Sequence, residues 1–433
     1  MTMMKKEALE LNADFQYALD RMEKSKDLLF ITGRAGTGKS TLLQLFRQTS
    51  HKKMVVLAPT GVAALNVKGQ TIHSFFGFPP RLLDARKDIK KRRFRKLYEQ
   101  LDTIVIDEIS MVRADMLDNI DYFLRVNREN PQPFGGVQMV FFGDLFQLPP
   151  VVATELEQRM FRTTYESPYF FSARVMAPPI SMEMIELQTV YRQENRYFLR
   201  LLEAIRLNRM DMEDLEALNA RHLPDAVTPD FAITLSARNA QVDAMNKKEL
   251  DAIPMPAKHY LAKVTGEFPD RLFPTDLALL LKLNAQVMFL RNDPEKQYVN
   301  GTIGKVVKLE DESVTVLIEE EGEPRYVKVE PYEWEILRYK LDEQNPEVIA
   351  TEGLGSFKQY PLRLAWAVTI HKAQGKTMDK VVIDLGRGAF EHGQTYVALS
   401  RCRTLEGIIL KSPLRPQDVI TDERVVSYYE RQQ

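Results

Sequence analysis

A single cysteine, Cys402, stands among 433 residues. One thiol cannot close an internal disulfide, so the chain suits a reducing compartment, and Cys402 reads as a small packed residue. No apolar run approaches the roughly 20 residues that span a bilayer, so no membrane partner is expected. Two lysines near the N-terminus (1–10) have no apolar segment behind them, which speaks against a secretory signal and for a cytoplasmic location. Net charge is scarce too: 59 basic against 60 acidic residues leave −1. The field of the whole chain therefore advertises no polyanion, and only a local basic groove could bind one. Short repeats and low-complexity segments are also missing.

What is present is enough for more than one core. A chain of 433 residues suggests two or three domains, and 44% hydrophobic with 27% charged residues is the balance of a soluble globular protein. Short β-branched runs followed by loops and helical patterns recur, the mark of an α/β class. The first set of strands is expected at 27–32, 54–58, 103–106 and 138–142, all apolar as in parallel strands buried on both faces. A second set is expected at 231–235, 381–385 and 407–410, which makes two nucleotide-fold lobes parting near residue 180. Between them, 287–290, 304–307, 313–318 and 325–329 alternate without intervening helices, with a turn at EEEGEP. This predicts a small antiparallel barrel inserted into the second lobe. The densest basic stretch, 86–96, is either a solvated helix face or a phosphate-tracking surface.

The strongest chemical signal lies at 33–40, GRAGTGKS, between an apolar strand and the helical TLLQLF. This is G-x-x-x-x-G-K-[ST] in its strand–loop–helix setting. Its glycines let backbone amides curl round phosphates, and the helix N-terminus adds partial positive charge. Gly36, Thr37, Gly38, Lys39, Ser40 and Thr41 form the expected ATP cradle, with Lys39 on the β/γ-phosphates and Ser40 on Mg²⁺. The strand at 103–106 ends in Asp107 and Glu108, expected to hold the metal and to act as general base on the attacking water, respectively. After 138–142, Gln147 is expected to meet the γ-phosphate or the attacking water. Gln16 is either an adenine-reading amide or a plain helix-surface residue.

Taken together these segments resemble superfamily-one helicases: GRAGTGKS, APTGVAALNVKGQTIHSFF (58–76), IDEISM (106–111), GDLFQLPPV (143–151), VYRQ (190–193), AVTIHKAQGKTMD (367–379) and YVALSRCR (396–403). The segment 115–138 narrows the resemblance to the Pif (petite-integration-frequency) branch, related to RecD-like enzymes. It spans nearly the whole chain, as a bare helicase core without an accessory N-terminal domain. The resemblance implies two RecA-like P-loop lobes, a small wedge-like insert in lobe one and an SH3-like β-barrel insert in lobe two. The expected segments are 1–180 for lobe one (insert about 62–80), 181–250 and 359–433 for lobe two, and 251–358 for the inserted domain. The stretch 250–276 has no assignment.

The resemblance also distributes roles. ATP would sit between the lobes, with Arg192 and Arg401 delivering guanidinium groups from the second and Gly375 near the same phosphate. Single-stranded DNA would run over both lobes, touching Pro59, Thr60, Gly61, Thr71 and His73 on the first and Thr369, His371 and Lys372 on the second. Phe75, Phe76 and Phe78 are either a wedge or the core of a small subdomain. The family moves 5′→3′. Expected partners are single-stranded DNA and forked or tailed duplexes, with G-quadruplexes as a further option, bound by a chain monomeric when free and nucleoid-associated if bacterial. Two other readings compete: a P-loop kinase or metabolic ATPase indifferent to DNA, and a nucleotide-switched DNA clamp that does not unwind.

Overall fold

The computed structural model describes residues 12–93, 95–193, 195–226, 228–320 and 323–432. The N-terminal stretch 1–11 and positions 321–322 of the expected hairpin turn lie outside the described residues.

The chain divides into two compact units, one of 1–144, 150–191 and 339–351, the other of 145–149, 192–338 and 352–433. The first is built on a six-stranded parallel sheet: β1 (Leu28–Gly33), β2 (Met54–Ala58), β3 (Gln70–Thr71), β4 (Thr103–Ile106), β5 (Gln138–Phe142) and β6 (Met182–Leu187). Its strand order is β3-β2-β4-β5-β1-β6. Leu29, Ile31, Val56, Val105, Val140 and Phe142 pack with Leu42, Leu43 and Phe46 of the helix Lys39–Thr49 in one core. Strands apolar on both faces cannot tolerate water on either, and the flanking helices remove it. β6 extends this unit past the boundary expected near 180. It pairs with β1 over six positions, Leu28↔Met182 to Gly33↔Leu187, so the backbone up to Tyr191 stays with the first sheet.

The aromatic cluster of the expected insert is core. Phe75, Phe76 and Phe78 are only 5%, 0% and 6% exposed, and Phe76 packs edge-on against Phe123 at 5.1 Å. Three rings this buried cannot present a wedge to a duplex. Tyr339 joins the cluster at 6.1 Å from Phe75. Its hydroxyl accepts the Val56 amide at 3.0 Å, and its own amide donates to Gln70 Oε1 at 3.1 Å. Part of the basic stretch that follows is tied down: Arg95 pairs with Glu99 and Glu129, Lys91 with Glu129, and Arg92 bonds the Phe76 carbonyl.

The second unit carries a four-stranded parallel sheet, Ala367–Thr369, Ile233–Ser236, Val381–Asp384 and Ile408–Leu410 in spatial order. Its insert is antiparallel. Five strands, Glu323–Val329, Val314–Glu320, Ile303–Leu309, Gln286–Phe289 and Leu362–Leu364, form one sheet in that order. They share an apolar core with the two-stranded sheet Ala278–Leu281 and Lys258–Leu261, around Leu279, Val287, Val316 and Val327. Two differences from the sequence reading stand out. The antiparallel set runs on to Leu364, because Val287 pairs with Leu364 and Phe289 with Leu362. The unassigned stretch 250–276 supplies strands Lys258–Leu261 and Lys263–Gly266.

Candidate functional site

β1 turns into the helix Lys39–Thr49 through the glycine-rich loop. Gly38 is its N-cap at φ +85°, and no side chain caps the helix. A glycine N-cap without a side-chain cap is the form of an anion-binding helix start. A Cβ at Gly38 would lie 2.8 Å from the Phe15 ring, so glycine is required by both conformation and space. The Lys39 ammonium lies inside the loop, donating to the carbonyls of Gly33 at 2.6 Å and Arg34 at 2.9 Å. Thr37 is buried and its hydroxyl bonds the Arg34 carbonyl at 3.0 Å, whereas Ser40 and Thr41 are exposed.

Asp107 and Glu108 follow β4, with the Asp107 amide donating to the Leu57 carbonyl at 2.8 Å. Burial first, then the neighbouring Glu108 carboxylate, pushes the Asp107 carboxyl up to about 7, and the Lys39 charge pulls it back. Loop lysine and both acids are therefore electrostatic neighbours at the carboxyl ends of parallel strands, where open α/β sheets bind ligands. Among the described residues no group of three or more His, Cys, Asp or Glu side chains gathers as a ready-made metal cage. Ser40 and Asp107 suit Mg²⁺, which takes one or two protein oxygens and keeps waters and substrate phosphates.

Gln16 is exposed on the helix Ala13–Lys24, and it is Phe15, one position earlier, that meets Gly38. Sequence reasoning passed over Tyr191. Its ring is 57% exposed, its amide donates to the Gly36 carbonyl at 2.9 Å, and Asn12 Nδ2 donates to its hydroxyl at 3.0 Å. An exposed ring held against the phosphate loop is a surface for a flat base. The signal was there, as the residue before Arg192 in VYRQ.

In the second unit, Arg192, Arg401 and Lys376 come together. Arg192 Nη1 donates to the Ser400 carbonyl at 3.1 Å. Arg401, 1% exposed, donates through Nε to the Val397 carbonyl at 2.9 Å and through Nη2 to Ser400 Oγ at 2.8 Å. Burial and then Arg401 bring Arg192 down to about 9, and burial, Arg363 and Arg401 bring Lys376 down to about 8. Cations whose protons are loosened by burial and by one another form a site that gains from an anion. Lys376 was missed, although it directly follows Gly375, which sits at φ +77° with open space beside it. Gln147 is 7% exposed, and its Oε1 accepts from Gln374 Nε2 at 3.2 Å.

The residues expected on DNA share a local design. Ala58 pairs with Thr71, so the starts of the helices Gly61–Asn66 and Ile72–Phe76 lie side by side at the carboxyl edge of the first sheet. In the second unit Thr369 ends the edge strand Ala367–Thr369. Thr60, Thr71 and Thr369 each accept the amide three residues on (Ala63, Ser74, Lys372), which fixes their backbones at the turn. Thr369 is 4% exposed, so its hydroxyl serves as a cap, while Lys372 is exposed and His371 pairs with Glu391 at 3.3 Å. Pro59, Gly61 and His73 are half-buried.

Residues 10–216 match the family model described as PIF1-like helicase. ATP-dependent DNA helicase Pif1 of Bdellovibrio bacteriovorus is 31% identical over 436 residues, covering 98% of this chain and 92% of that protein. The chain belongs to the PIF1-like helicase family. It is 34% identical to mouse ATP-dependent DNA helicase PIF1 over 424 residues and spans 62% of that longer protein. Among solved structures, Bacteroides sp Pif1 in complex with ADP-AlF4 is 36% identical, with a TM-score of 0.91 over 98% of this chain and 97% of that one. Bacteroides Pif1 bound to ssDNA, at the same identity and coverage, superposes with a TM-score of 0.69. No helix among the described residues of this PIF1-like chain is long and apolar enough to cross a membrane.

Proposed function

We propose that this chain is an ATP-driven motor that translocates 5′→3′ along single-stranded DNA and unwinds duplex or structured DNA in genome maintenance. The observation that carries the reading is the pairing of chemistries on the two units. One holds Lys39 in a phosphate loop beside Asp107 and Glu108, and the other gathers Arg192, Arg401 and Lys376 around one buried point. The first group suits the phosphates of a nucleotide, and the second is a set of cations that gains from added negative charge. Mg²⁺ would be held by Ser40 and Asp107 and would neutralise charge on the phosphates. Glu108 orients and deprotonates the attacking water, Gln147 senses the γ-phosphate, and Tyr191 stacks on the base. Pro59, Thr60, Gly61, Thr71 and His73, with Thr369, His371 and Lys372, form the track for DNA. Backbone and hydroxyl groups there grip phosphate irrespective of sequence. The 5′→3′ polarity follows from family resemblance alone.

Burial of Phe75, Phe76 and Phe78 favours one second reading, a nucleotide-switched clamp on single-stranded DNA, because it removes the expected wedge. Displacement of a labelled strand from 5′- and 3′-tailed duplexes separates the two. A motor of the proposed polarity displaces from the 5′-tailed substrate only; a clamp hydrolyses ATP on DNA and displaces neither.

A further inference from the structure

The segment 145–149 follows β5 in sequence but packs with the second unit, which the chain enters between Asp144 and Leu145 and leaves between Pro149 and Pro150. On its first-unit side the chain is held by the Gly143 amide, which donates to the Ile31 carbonyl at 3.2 Å, and by Asp144, 1% exposed. On the other side the second unit grips three consecutive residues. His392 Nε2 lies 2.8 Å from the Leu145 carbonyl. The Arg206 guanidinium lies 4.3 Å over the Phe146 ring and 5.2 Å over Tyr429, and the two rings meet edge-on at 5.2 Å. Gly393, at φ +72°, lies so close that a Cβ there would come within 2.5 Å of the Phe146 and Gln147 carbonyls.

His392 is the polar element of this grip, and its protonation is dictated by its partners. The Asp422 amide donates to Nδ1 at 2.9 Å, so Nδ1 must accept, while Leu145 offers only a carbonyl, so Nε2 must carry the hydrogen. A 6%-exposed imidazole locked as one neutral tautomer thus joins the segment to the start of the C-terminal helix Glu423–Gln432.

We propose that His392 is a positioning residue that fastens 145–149 within the second unit and so fixes the side chain of Gln147 beside Gln374. This rests on the reading of Gln147 as the phosphate sensor.

The test uses the full chain and a single-stranded oligonucleotide, with four readouts: DNA-stimulated kcat, KM for ATP, oligonucleotide affinity and strands displaced per ATP. His392→Gln keeps a donor at the Nε2 position; His392→Asn keeps an acceptor for the Asp422 amide and loses the donor to Leu145. The expected result is near-wild-type behaviour for the glutamine variant. For the asparagine variant, stimulated kcat falls on the order of tenfold to a hundredfold, with KM and DNA affinity held, because misplacement of one group near the chemistry costs on that scale. Tyr429→Leu, which removes the ring above Arg206 without touching His392, lowers the same kcat. Folded asparagine and leucine variants with unchanged kcat and displacement overturn the proposal, as does equal impairment of the glutamine and asparagine variants. Gln147→Ala, measured alongside, separates the two layers. Wild-type turnover in it overturns the sensor reading and the proposal with it. Lost turnover there beside an unaffected His392→Asn overturns the positioning role alone.

Discussion

Arg192 and Arg401 crowd one another: after burial, the Arg401 guanidinium is the largest influence bringing Arg192 down to about 9. Two such cations, with Lys376 beside Arg401, destabilise each other until an anion arrives. Removing Arg401 is therefore expected to lower turnover far more than it lowers DNA binding. Arg401→Ala should lose about 10³–10⁵ in DNA-stimulated rate, the range for a guanidinium that stabilises transferring phosphate. Oligonucleotide affinity should change by a few-fold at most. Rate and affinity measured on one preparation decide it, and an unchanged rate leaves Arg192 alone in that role.

Lys39 is held by the Gly33 and Arg34 carbonyls, inside the loop that phosphates would occupy. Lys39→Ala should abolish hydrolysis and retain most oligonucleotide binding. Nucleotide affinity by calorimetry and turnover by phosphate release check this, and normal turnover would remove Lys39 from the site.

Glu108 is expected to act in chemistry rather than in binding. Glu108→Gln should bind ATP and DNA together and hydrolyse so slowly that the complex persists. Rapid single-turnover hydrolysis in this variant would mean that another group is the base.

Phe76 is fully buried and packs on Phe123. Phe76→Ala should cost about 3–5 kcal/mol of stability, the scale for an aromatic ring deleted from a core. Denaturant unfolding of the isolated variant reads this directly. A residue acting as a wedge would leave stability unchanged and impair only strand separation.

Glu157 gives a pH signature. Burial pushes its carboxyl up, but the Thr154 amide and the Arg113 guanidinium outweigh this and hold it at about 2, below the ordinary 4.5. A depressed acid stabilises the fold fully above its ordinary value and loses that contribution as pH falls toward its folded value. Glu157→Gln should therefore lower the thermal midpoint near neutral pH, with the gap to the unsubstituted chain closing between about 4.5 and 2. A gap constant across that window would contradict the assignment.

Much of the site could be read from local sequence, because its chemistry is written in consecutive residues. The loop 33–40 demands a strand before it and a helix after it, and both are present as Leu28–Gly33 and Lys39–Thr49. What escaped depends on pairing over long sequence distances. β6 is recognisable only through its register with β1, since MEMIEL alternates too little to announce a strand. The contact of Tyr339 with Val56 joins residues 283 apart, and nothing near either predicts the other. Phe75, Phe76 and Phe78 looked the same as wedge or core, because composition does not say which way a ring faces. Segment 145–149 falls within the 1–180 expected for lobe one, and only the grip of His392, Gly393 and Arg206 assigns it to the second unit.

Coupling of ATP turnover to single-stranded DNA is read out by steady-state ATPase with and without a single-stranded oligonucleotide. Strong stimulation by the oligonucleotide, abolished in Lys39→Ala, is the expected result. Active protein whose turnover is indifferent to DNA would contradict it and leave a stand-alone ATPase.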